Sequence, residues 1–134
     1  MTASVAPGQV RNAVALLWGS LFLTNVDVFA SGAPAEDFFD CVMWLVFAAI
    51  IGFNAYLIYL VSRRTNWARV GLLIITVAIV GATLIWPPEI GTDPWWSVLL
   101  MSVSTIADTV AMIWLFSGVG HAWFRGAPLE GRAA

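Results

Sequence analysis

The chain has 134 residues, of which 60% are hydrophobic and 10% charged, and its mean hydropathy is +0.87. Soluble domains run near ~45–50% apolar and ~25% charged, so this composition excludes a water-facing polar shell. The net charge of −2 sums two opposite poles and gives no sign of a nucleic-acid partner, and the single cysteine, Cys41, excludes an internal disulfide or a cysteine zinc site.

The first apolar stretch runs over about residues 13–30 and is the least hydrophobic, because Asn25 and Asp27 sit near its end. A cleaved secretory signal is the rival reading, with Arg11 as its charged start, Val14–Leu23 as its apolar segment and Ala33-Pro34-Ala35 as a cleavage site. The long, Asp27-bearing segment before that site counts against it. The second stretch, residues 38–61, is long enough to cross a bilayer with tilt. Glu36, Asp37 and Asp40 stand in its first turns and Arg63 and Arg64 at its end, both favourable to the helix dipole. The third, residues 67–86, measures about 30 Å as a helix. Asn66 is placed to cap it, and Pro87-Pro88 to stop it. The fourth, residues 95–116, follows Asp93-Pro94, read as an N-cap with proline at the first helical position. Residues 125–134 form a short polar tail behind a single domain of residues 1–124.

All six cations, Arg11, Arg63, Arg64, Arg69, Arg125 and Arg132, flank these stretches on one side, while six of the eight acids fall on the other. The positive-inside bias then predicts an all-α membrane protein: a four-helix transmembrane bundle, up-down-up-down, with both termini cytoplasmic, in a cell inner membrane. Six of the eight tryptophans (Trp18, Trp67, Trp86, Trp95, Trp96 and Trp123) lie at or near stretch ends, as an interfacial belt requires. Small-residue ridges at Ala48/Gly52/Ala55, Ala78/Ala82 and Ala107/Ala111 allow close helix packing within or between chains.

Asp108 is the side chain that most needs an explanation. It lies thirteen residues into the fourth stretch, about 20 Å from the outer end, where a charge costs about 2.5–3.5 kcal/mol unless it faces protein or water. Ser104 and Thr105 precede it by one turn. Depth arithmetic puts Asn54, sixteen residues into its stretch, and Thr76, ten residues from Trp86, near the same level. Asp108, Asn54, Thr76, Ser104 and Thr105 therefore form a candidate ion or proton site, or an interhelical polar cluster acting as glue, or a contact with another subunit. Asn25, Asp27, Glu36, Asp37, Asp40, Glu89 and Asp93 form a candidate external acidic mouth that attracts cations, or simply stand among the lipid headgroups. His121 is the one histidine and cannot supply a bis-histidine haem. No catalytic residue, metal set or cofactor is assigned, and an enzyme ranks last because no nucleophile–base pair converges.

The segment Val61–Leu73, VSRRTNWARVGLL, resembles the basic turn of small bacterial four-span proteins, in which an Arg/Asn-Trp-Ala-Arg turn precedes a Leu-rich helix. The likeness covers about a tenth of the chain and implies architecture, not activity. The leading expectation is a non-catalytic accessory or assembly subunit of a larger membrane complex. The alternatives are a homo-oligomeric small transporter or channel using Asp108, and a membrane immunity or protection protein. The expected partners are the lipid bilayer and another membrane subunit or a second copy.

Overall fold

The computed structural model describes residues 6–31, 37–85 and 94–125, and their regular structure is entirely helical. Five helices follow one another: α1 (Gly8–Ser31), α2 (Phe38–Ser62), α3 (Asn66–Ile85), α4 (Trp95–Phe116) and α5 (Gly118–Arg125) among the described residues. Three of them, Gly8–Ala30, Phe38–Ser62 and Trp95–Phe116, are long and apolar enough to cross a membrane, and Asn66–Ala82 is a shorter apolar stretch. These lengths and compositions are those of a membrane protein with transmembrane helices.

Local chemistry sets the helix ends. The carbonyl of Pro7 accepts the Val10 and Arg11 amides at 2.9 and 3.1 Å, so α1 begins five residues before the apolar stretch expected from residue 13. Asp37, in extended conformation, caps α2 by accepting the Asp40 amide at 2.8 Å, a contact worth about 1 kcal/mol. The end of α2 is a Schellman turn: Thr65 N donates to Leu60 O at 3.1 Å and Arg64 N to Val61 O at 3.0 Å. Arg64 occupies the left-handed position, φ 66°, where glycine is usual, at a cost of roughly 1–2 kcal/mol. At α4 the expected cap shifts by one residue. Pro94 itself takes the N-cap position (φ −57°, ψ 134°) with no side-chain cap, and Asp93 lies outside the described residues.

Neighbouring helices run antiparallel. The first half of α1 meets the end of α4 through Gln9 and Trp114, and its second half meets the start of α2 through the stacked rings of Phe29 and Trp44, 5.7 Å apart. The α1–α4 pairing is the most extensive, α2 packs on α1 and α3, and the α3–α4 seam barely closes. The core is displaced to one end. Ala13 and Leu17 of α1, Leu57 and Val61 of α2, Ala68 and Leu72 of α3, and Ala111 and Leu115 of α4 are buried there. Toward the other end Phe22, Phe29, Phe38, Phe39, Leu84 and Trp95 are exposed, as lipid-facing side chains would be. The small-residue ridges divide likewise: Ala48, Gly52, Ala78 and Ala82 face outward, and only Ala111 reaches the core.

α5 (Gly118–Arg125) lies beyond the four apolar stretches. Ser117 is extended and Gly118 turns the chain at φ 41°, so the last eight-residue helix folds back under the packed end, between α1 and α4. Trp123, expected in the interfacial belt, is instead buried there with Phe124.

Candidate functional site

A cavity of about 60 Å³ lies near mid-bundle, and it takes side chains from all four long helices. Its polar lining is Ser20 and Thr24 of α1, Asn54 of α2, Thr76 of α3 and Asp108 of α4. Ser20, Asn54, Thr76 and Asp108 are aimed inward because the apolar residues one turn away on their helices, Leu17, Ile58, Leu72 and Met112, are themselves core residues, whereas Thr24 stands at the exposed rim. Asp108, Asn54 and Thr76 thus meet in one cavity within a single chain.

The α1 hydroxyls are the lining residues that depth reasoning did not pick out. Ser20 Oγ donates to the Ser104 carbonyl at 3.2 Å and also lies within hydrogen-bonding reach of the Asp108 carboxylate. Thr24 Oγ1 donates to Ser104 Oγ at 3.4 Å. The available signal was spacing: Ser20 and Thr24 stand four apart on the face carrying Leu17 and Leu21. Ser104 and Thr105 sit differently from the rest of the expected cluster. Their hydroxyls bond back to the Met101 carbonyl at 3.1 and 2.8 Å, and neither lines the cavity. Ser104 stitches α1 to α4 beside it.

Below the cavity, the buried layer from Ala13 and Leu17 to Ala111 and Leu115 separates it from the arginine-rich end. That end is closed by side chains from α3, α4 and α5. Arg69 is only 4% exposed. Its guanidinium lies 4.3 Å from the Phe116 ring centre and 4.7 Å from that of Phe124, and Nη1 donates to the Leu115 carbonyl at 3.1 Å. Arg64 Nε donates to the Trp123 carbonyl at 2.6 Å, with the guanidinium 5.5 Å from the indole. Gln9 ties α1 to the same corner through Trp114 O and Ser117 Oγ, both at 3.2 Å.

Four residues of the expected acidic mouth, Asn25, Asp27, Asp37 and Asp40, are described. Asn25 donates to the Leu21 carbonyl of its own helix at 2.7 Å, Asp37 caps α2, and Asp40 stands in that helix's first turn. Asp27 lies on α1, one turn before its end. Glu36, Glu89 and Asp93 lie outside the described residues. Among the described residues no three of histidine, cysteine, aspartate and glutamate gather as metal ligands.

A second concavity, about 610 Å³, runs along the open seam between α3 and α4. It is lined by Leu73, Val77, Val80 and Leu84 on one side and Met112, Ile113 and Phe116 on the other, with Thr76 and Thr109 as its polar members. Comparison of the chain with protein-family models, curated proteins and solved structures finds no match.

Proposed function

We propose that the chain is a four-span inner-membrane bundle with both termini in the cytoplasm, and that it serves as a non-catalytic accessory subunit of a larger membrane complex. The observation that carries this reading is the open α3–α4 seam. Three of the four seams are closed by direct helix packing, whereas this one leaves an almost wholly apolar groove of about 610 Å³. A transmembrane helix of another chain, about 10 Å across, would supply the missing packing there, and without water the gain comes from close van der Waals contact. Gly81, in the groove lining on α3, permits near approach. The buried apolar layer at the arginine end argues against an open channel through the bundle.

The test combines native mass analysis of the protein, extracted from its own membrane in mild detergent, with a photo-crosslinker at Val80 in the groove. Stoichiometric recovery of a different polypeptide that cross-links from Val80 but not from Phe53, on the exposed face of α2, is the expected result. A homo-oligomer, or a monomer with lipid adducts alone, overturns the subunit reading.

The runner-up is a small transporter that uses Asp108. It is favoured by the convergence of a carboxyl, an amide and three hydroxyls on one mid-bundle cavity.

A further inference from the structure

We infer that the cavity between Asp108, Asn54, Thr76, Ser20 and Thr24 is a binding site for one monovalent alkali cation. The inference supplies a ligand for the transport reading, and it holds whether or not a partner helix covers the α3–α4 seam, because every donor belongs to one chain.

Among the described residues Asp108 is the one charged group lining the cavity, and the arginines stand beyond the buried apolar layer. In such surroundings the carboxyl either keeps its proton or, ionised, needs a positive charge beside it. One negative charge calls for one positive charge; a divalent ion would leave a net charge buried in low dielectric. The donor set is oxygen-rich and hard, as alkali and alkaline-earth cations prefer, and it contains neither sulfur nor imidazole.

Hydrogen bonding leaves those oxygens available. Thr24 directs its proton toward the Ser104 hydroxyl, which leaves its lone pairs free, whereas Ser20 has one proton to divide between the Ser104 carbonyl and the Asp108 carboxylate. The Asn54 side chain, the Thr76 hydroxyl and the Asp108 carboxyl add oxygens from the other three helices to the same lining. A space of about 60 Å³ accommodates one ion with a water or two, since a single water needs only about 10–15 Å³ of such volume. Thr76 lines both this cavity and the α3–α4 groove, so the cavity adjoins the seam.

The full chain in mild detergent is melted in sodium, potassium or choline chloride at equal ionic strength, with tryptophan emission as readout. An alkali cation raises the midpoint saturably, by about 5 °C over choline. Asp108→Asn reduces that difference below about 1 °C, while Asp37→Asn, at the acidic end, retains it. Thr76→Val and Ser20→Ala raise the half-saturating sodium concentration about tenfold, and they serve as the reading if Asp108→Asn does not fold. Equal midpoints in all three salts overturn the site. So does a sodium effect that survives Asp108→Asn, or one unchanged by both Thr76→Val and Ser20→Ala. None of these outcomes depends on a partner subunit, so failure here leaves the subunit proposal standing.

Discussion

Arg69 stands three residues into an apolar helix, yet it is not the headgroup-facing cation that charge counting suggests. Its guanidinium is buried between Phe116 and Phe124, and one nitrogen caps the end of α4 through the Leu115 carbonyl. A planar, delocalised cation suits this place because it stacks on rings while donating in its own plane, which an ammonium cannot do. The position also has a cost: Nε finds no hydrogen-bond partner among the described residues. Arg69→Ala should therefore lose about 2–4 kcal/mol, combining a charge-assisted hydrogen bond with two cation–π contacts. Arg69→Lys should recover less than half of that loss, as read from unfolding in graded denaturant. Full rescue by lysine would show that charge alone matters there. The Asp108 cavity differs in that its chemistry was partly visible beforehand. Helix rise alone brings Asn54 and Thr76 to the depth of Asp108, but helix rotation decides which hydroxyls face inward. That is why Ser20 and Thr24 enter the lining, while Thr105 bonds to its own backbone.

At the scale of the element, the long helices were legible because their punctuation is chemical. The fourth apolar stretch is a helix over the same residues, Trp95–Phe116, and the second differs by a single residue at its end, Ser62. Prolines and arginine pairs mark such boundaries strongly. α5 was not legible, since Gly118 and Gly120 within an eight-residue segment argue against a helix by propensity. Tertiary contact overrides that preference. Gly120 lies so close to α4 that an added Cβ would meet the Trp114 carbonyl oxygen at 2.3 Å. Only a glycine permits this approach, and it is what brings Trp123 and Phe124 beneath the bundle. Gly120→Ala should lift α5 away, exposing both rings. Expected signs are a red-shifted tryptophan emission and faster proteolysis after Arg125, with the four long helices retained by circular dichroism. A variant with unchanged emission and cleavage would mean that the corner yields without releasing the helix.

For the molecule as a whole, the controlling feature is its polarity along the helix axes. One end gathers the arginines, the buried layer and the α5 closure; the other carries Asp37, Asp40 and exposed aromatic side chains. An orientation with the arginines in the cytoplasm satisfies the positive-inside bias, and it places the end with Asp37 and Asp40 outside. The single cysteine tests this directly. Cys41 is exposed, next to Asp40 in the first turn of α2, while Ser62 is exposed at the opposite end of the same helix. In intact cells a membrane-impermeant maleimide should label Cys41 at once. In a Cys41→Ser background, Ser62→Cys should label only after permeabilisation. The reverse pattern would turn the molecule over and put Asp37 and Asp40 in the cytoplasm. Labelling of both positions from one side would mean that α2 does not cross, which would undo the four-span reading and with it the partner-filled seam.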